Sequence, residues 1–294
     1  MNDLDNILQE VEQGGHTIPP EEYAEKKQAE RQAVYELADQ TALDVAQDSG
    51  TFQRYLDVQS QFDRYSETNA LLVLAQKPKA TRLGDFDHWK SRGGSVKKGE
   101  IGISIIEPSG EYMKDDGTKG VSYNIKKVFD ISQIDTRKME QQPTKQHTER
   151  DLLKALVAHA PVKIDLADDL PDDLGALYDP DTQRISLLRG MSFSQTFQSL
   201  AQELAVADLR AIPDTHADTI FSANAAAYML CKKHGVDAQF SFEDAPTVFS
   251  GMDPLGVKSE LGQIRDVAVN TSERMAKTLA PPPKSARTQD DRGR

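Results

Sequence analysis

Cysteine is almost absent from this chain. Cys231 stands alone, so it cannot close an internal disulfide or build a Cys-rich zinc site, and a reducing compartment fits. Long apolar runs are missing too: none approaches the roughly 20 residues that a membrane span needs. The opening residues MNDLDNILQEVEQGG place acids where a secretory leader would carry a basic cluster and then an apolar run. The expectation is a cytoplasmic protein that does not cross a membrane. Cations are in deficit, 35 against 47 Asp and Glu for a net charge of −12, which argues against coating nucleic acid through bulk charge.

The distribution of charge says more than its sum. Between Arg82 and Lys98 the bases Arg82, Lys90, Arg92, Lys97 and Lys98 face only Asp85 and Asp87. From Asp165 to Asp181 the chain carries seven aspartates and no Lys or Arg, so that stretch repels phosphate. A nucleic-acid site therefore belongs in the first half.

With 294 residues the length suggests two folding units. Residues 1–50 are polar and broken by Gly14-Gly15 and Pro19-Pro20, the pattern of a peripheral arm with an exposed helix from about Glu21 to Ala46. Phe52, Tyr55, Val58, Phe62 and Tyr65 recur at helical spacing, and a second helix begins at Asn69. A short helix, Asp85 to Arg92, precedes Gly93-Gly94 and an apolar strand that runs from Ile101 to Pro108. The turn Asp115-Asp116-Gly117 and a return strand, Val121 to Ile131, close a hairpin. These elements form a first α+β domain over 51–135. The polar, aperiodic segment 136–148 reads as a linker. A second, mainly helical domain with a small sheet is expected over 149–280: a helix at Glu149–His159, a strand at Val162–Leu166, two strands around Asp179-Pro180-Asp181, and helices near 192–211, 215–234 and 253–279. The tail 281–294 lacks the apolar residues needed to fold.

The block FDRYSETNALLVLAQKPKATRLGDFDHWKSRGGSVKKGEIGISIIEP, closed by VFDISQ at Val128–Gln133, resembles the N-terminal domain of the ArdC antirestriction proteins. The matching positions are Tyr65, Ser66 and Asn69, then Phe86 and Trp89, then Val96, Lys98, Gly99, Glu100, Gly102 and Ile103. The resemblance implies a single-stranded DNA-binding domain of plasmids and conjugative elements. The residues can support that independently, because such a site needs cations for phosphates and flat side chains on which bases stack. Arg82, Lys90, Arg92, Lys97 and Lys98 supply the first requirement, and Trp89, Phe86 and Tyr65 the second. Phe86 and Trp89, three residues apart on one short helix, could instead anchor that helix to the strand, Phe86 more so than Trp89. Gly99 and Gly102 serve backbone geometry.

The stretch from Leu177 to Leu209, with ANAAAYMLCKKHGVD after it, resembles the zinc metallopeptidase domain that follows in ArdC-type proteins and recurs in the ImmA/IrrE peptidases. In such a site two histidines four residues apart reach one zinc, and the glutamate between them activates the metal-bound water. Here those positions read Gln202 and Val206, a further acidic ligand position reads Asn224, and only Glu203 remains. Valine offers no donor atom, and neutral amides bind zinc weakly. Asp208, two residues past Val206, is turned by about 200° from it around a helix, away from the Gln202 face, and His216 belongs to the entry of the next helix. The expectation is a pseudopeptidase without cofactor, with Glu203 a hydrogen-bonded structural carboxylate.

Three functions are weighed. The leading one is sequence-independent single-stranded DNA binding by a mobile-element antirestriction protein, with the second domain stabilising the first or contacting a protein partner. The alternative is a metalloprotease with a rearranged metal site acting on a regulatory or restriction protein. The third is an acidic interaction protein that occupies a nuclease's DNA groove through the stretch 165–181.

Overall fold

The computed structural model of the chain describes residues 19–114, 116–139, 147–171, 174–212 and 218–280. The first part of the expected arm, Asp115 of the hairpin turn, most of the expected linker, Asp172, Asp173, His216 and the tail from 281 lie outside the described residues.

Helix α1 (Pro20–Gln47) enters with proline at its first position, where the missing N–H is no loss. Asp48 then caps α2 (Ser49–Gln61) by accepting from Thr51 N. Ser66 does the same for α3 (Glu67–Gln76) through Asn69 N, and such caps each contribute about 1 kcal/mol. Strand β1 (Leu83–Gly84), helix α4 (Phe86–Ser91) and β2 (Ser95–Val96) lead to a long hairpin, β3 (Ile103–Met113) and β4 (Lys119–Asp130). A single 3-10 turn, Ile131–Gln133, connects it to β5 (Ile134–Asp135).

The hairpin is longer than its apolar pattern suggests. Strand β3 continues past Pro108, and the register slips between Pro108 and Gly110, as a residue without an N–H requires of a ladder. The first sheet has the order β1-β4-β3, and β2 pairs with β5.

Further along the chain come α5 (Glu149–Ala158), β6 (Lys163–Ala167), β7 (Ala176–Asp179) and β8 (Arg184–Leu188). Strand β8 is central, parallel to β6 and antiparallel to β7. Helices α6 (Phe193–Arg210), α7 (Thr219–His234), the short α8 (Ala245–Val248) and α9 (Pro254–Leu279) complete the fold. Each long helix lies close to its expected bounds. The architecture is mixed helix and sheet, consistent with α+β.

Two features depart from the sequence pattern. Residues 21–29 of α1 are exposed as an arm should be, but Val34, Ala38, Ala42, Val45 and Ala46 are buried, so this half of the helix is core and not periphery. The largest apolar cluster also joins Phe52, Tyr55 and Leu71 to Val206, Phe221 and Leu261, residues on both sides of the expected linker. A second cluster, with Ile185, Phe197 and Leu204, lies beneath the β6-β8-β7 sheet.

Candidate nucleic-acid interface

The cationic segment hangs on one buried turn. Asp130, 1% exposed, caps the turn Ile131–Gln133 and accepts from the backbone N–H groups of Thr81 (2.7 Å) and Arg82 (3.0 Å). Burial pushes its carboxyl up, but donors from Arg82, Ser132 and Thr81 outweigh that and hold it below the usual range. Gln133, on the same turn, donates through Nε2 to Glu100 Oε2 and Ile101 O, both at 2.9 Å. Its own carbonyl accepts from Lys97 N. One turn therefore fixes the backbone at Arg82 and at Lys97–Ile101.

The cations themselves face solvent. Arg82, Lys90, Arg92, Lys97 and Lys98 are all exposed. Lys97 Nζ reaches Ser132 O at 2.7 Å, and among the described residues none of the five forms an ion pair. Gly99 between Lys98 and Glu100 has φ +86°, a left-handed conformation that side chains resist. The Gly93-Gly94 pair is packed: a Cβ on Gly94 would lie 2.8 Å from Ile134 Cγ2 and 2.9 Å from Met139 Sδ. This closeness brings Arg137 and Lys138 beside Gly93 and Ser95, around a cavity of about 520 Å³. Arg137 is engaged with Asp135, whose carboxyl it lowers to about 2.

The aromatic residues of the segment exchange the places expected for them. Trp89 is 0% exposed and donates through Nε1 to Phe129 O at 2.9 Å. A base cannot stack on it, and Trp89 is corrected from a stacking residue to the anchor of α4. Phe86, read as the more core-like of the two, is 55% exposed. A helix of six residues makes fewer than two turns, too few for its spacing to say which side is buried. Tyr65 is half-buried and is not among the cations; it lines a separate groove with Tyr35 and Tyr123. Burial raises its phenol above the ordinary range, against the neighbouring charge of Lys126.

In the second half Glu203 accepts from the backbone N–H of Tyr178, on β7, at 2.8 Å. Burial raises its carboxyl, opposed by that N–H and by Arg210. Val206 is 3% exposed within the large core. Asn224 Oδ1 is buried without a hydrogen-bond partner among the described residues. Asp208 pairs with Arg274 on α9 at 2.6 Å, which commits its carboxylate elsewhere. The metal that the peptidase resemblance implies does not fit these residues: one position is a core aliphatic and two are neutral amides. Among the described residues no group of three or more His, Cys, Asp or Glu could hold a metal ion.

The acidic stretch is not bare. Arg184 and Arg189 pair with Asp165 and Asp168 at 2.6 and 3.1 Å, because the parallel pairing of β6 and β8 sets Asp165 and Ala167 opposite Ser186 and Leu188. Sequence distance hides these partners.

Residues 24–157 match a family model described as the N-terminal domain of anti-restriction factor ArdC, and the chain is ArdC-like over that span. Among solved structures, the metal-free crystal structure of the antirestriction ArdC protein from R388 plasmid is similar at 18% identity and a TM-score of 0.50, covering 72% of this chain and 86% of that one. The Mn(II)-bound structure of the same R388 protein is similar at 18% identity and a TM-score of 0.49, covering 72% and 85%. At that identity the first likeness is one of fold, and it extends past the family match, which spans less than half of the chain. No curated protein matches the chain.

Proposed function

From the ArdC-like character of residues 24–157 we propose that the chain binds single-stranded DNA without sequence preference, in a plasmid-associated antirestriction role. The observation that carries the reading is the set of five exposed cations without ionic partners among the described residues, Arg82, Lys90, Arg92, Lys97 and Lys98, three of which, Arg82, Lys97 and Lys98, lie where the turn at Asp130–Gln133 fixes the backbone. Cations already neutralised by neighbouring carboxylates would have little to gain from a phosphate; these do. A backbone fixed beforehand also lowers the entropy that binding must overcome. The second half acts as a pseudopeptidase that supports the first or docks a protein partner. Glu203 fits this role because its carboxylate is spent on the β7 backbone.

The test is fluorescence anisotropy of the full chain with a labelled dT20 strand at low salt. Binding is expected, with at least a tenfold loss in the Lys97→Ala/Lys98→Ala variant. Absence of binding, or a variant that binds as the parent does, would refute the reading.

A further inference from the structure

The cationic segment supplies phosphate contacts but, with Trp89 buried, offers the exposed ring of Phe86 in place of the broad stacking surface that single-strand binding usually uses. A groove of about 520 Å³ supplies one. Its walls include Tyr35 from α1, Tyr65 from the loop before α3, Pro108 from β3, Tyr123 from β4, and the two cations Arg64 and Arg265. The volume is within the roughly 300–1,000 Å³ typical of small-ligand sites. We propose that this groove takes one unstacked base of a single DNA strand, the ring against the tyrosines and the adjoining phosphate at Arg64. This rests on the single-strand reading above and names where its bases go.

Several observations favour a nucleotide over a purely apolar occupant. Tyr123 is 42% exposed directly across the hairpin from Pro108, a flat and rigid pair. Tyr65 is backed by Phe62 in a stacked arrangement, centroids 5.7 Å apart and planes 22° apart, so its orientation is set before anything binds. Arg265 donates through Nε to Tyr65 O at 2.8 Å and pairs with Asp266, so it braces the ring's backbone and leaves the phosphate to Arg64. Arg64 is exposed and has no ion pair among the described residues. Glu67, also in the groove, would repel a phosphate there and accept from a base N–H instead, leaving phosphates for the rim.

Strand β4 connects the groove to the cationic segment: its Tyr123 lines the groove, and its last residue, Asp130, holds the backbone of Arg82. Tyr65 lies within the electrostatic reach of Lys126, Asp85 and Glu107. Asp85 pairs with Lys126 at 2.9 Å and caps α4, the helix of Lys90. A DNA strand that follows β4 passes from one to the other. Because Arg265 belongs to α9, the site draws on a helix far outside the matched residues 24–157.

The experiment compares a labelled dT20 strand with an abasic backbone of equal length, using the full chain. The parent should bind dT20 at least tenfold more tightly, as one stacked base at roughly 1–3 kcal/mol implies. Tyr123→Ala and Arg64→Ala alter exposed side chains and should leave folding intact. Tyr123→Ala should remove most of the preference for dT20, whereas Lys97→Ala/Lys98→Ala should weaken both ligands alike. A strand carrying 5-iodouracil should photo-cross-link to peptides bearing Tyr35, Tyr65 or Tyr123. If the lysine variant loses binding while Tyr123→Ala keeps the full preference, or cross-links fall only elsewhere, the groove assignment is wrong and the single-strand reading stands. If no strand binds at all, both fall. Tighter binding of rU20 than of dT20 would give the groove to RNA and overturn the proposal.

Discussion

Trp89 and Asp130 hold the end of the same strand from two sides. The indole spends its N–H on Phe129 O, and the carboxylate next in the chain receives the backbone of Thr81 and Arg82. Trp89→Phe should therefore cost about 1 kcal/mol for the lost hydrogen bond, and Trp89→Ala about 3–5 kcal/mol through the cavity left behind, both read by urea denaturation. Asp130→Ala strands three backbone donors and should lower affinity for dT20 as well as stability, since Arg82 is no longer held. The identities of these residues were legible in the sequence, but their jobs were not. Both a core tryptophan and a stacking tryptophan fit a six-residue helix, and only the neighbouring strand distinguishes them.

At the scale of elements, α3 guards the exposed edge of a sheet. Among the described residues strand β3 has β4 on one side only, and an open edge invites pairing with other chains. Asn69 exchanges two 2.8 Å hydrogen bonds with the backbone of Ile106, and Gln76 does the same with Ser104 at 2.9 and 3.0 Å. Seven residues apart on one helix, the two amides take the place of a strand. Replacing either by alanine should cost about 1–3 kcal/mol by leaving backbone groups unpaired, and the double variant should aggregate on sizing columns. Asn69 was marked by the family resemblance, and Gln76 by nothing in the sequence, because a glutamine on a helix face has no local signature of a partner 28 residues away.

Helix α7 ends in an acid-sensitive residue. Burial, then the charges of Lys233 and His147, holds His234 down to about 4 from an ordinary 6.5. A depressed histidine favours the folded state while neutral. Its contribution is complete above pH 6.5 and is lost as pH falls through 4. His234→Leu should flatten this part of the stability curve, measured as Tm against pH.

Over the whole molecule the charge is strongly acidic, yet the interface is assigned to a local excess of cations. Ionic strength is the measure of that claim. Five phosphate contacts on a single strand predict a slope of log affinity against log salt of about −3.5, and loss of Lys97 and Lys98 should reduce its magnitude by about 1.4. The second half makes a separate prediction. Protein equilibrated with zinc and then passed through a desalting column should retain well under one equivalent by elemental analysis, because Gln202, Val206 and Asn224 leave Glu203 without fellow ligands. Stoichiometric zinc that disappears in a Glu203→Gln variant would favour the protease alternative instead. The shared core gives the second half a structural role whichever way that test falls. Phe52 of α2 packs on Phe221 of α7 at 5.1 Å and on Phe249 at 5.6 Å, so removal of either half exposes the other.

The sequence by itself determined the long helices, the hairpin and the cationic segment. Each of these depends on residue type and on spacing within a dozen residues. Tertiary structure decided which aromatic faces solvent, that half of the first helix is core, that Arg184 and Arg189 neutralise aspartates, and that three tyrosines from three elements meet at one groove. Those outcomes depend on contacts between residues tens to hundreds of positions apart, where burial and pairing are set by the partner and not by the neighbours in the chain.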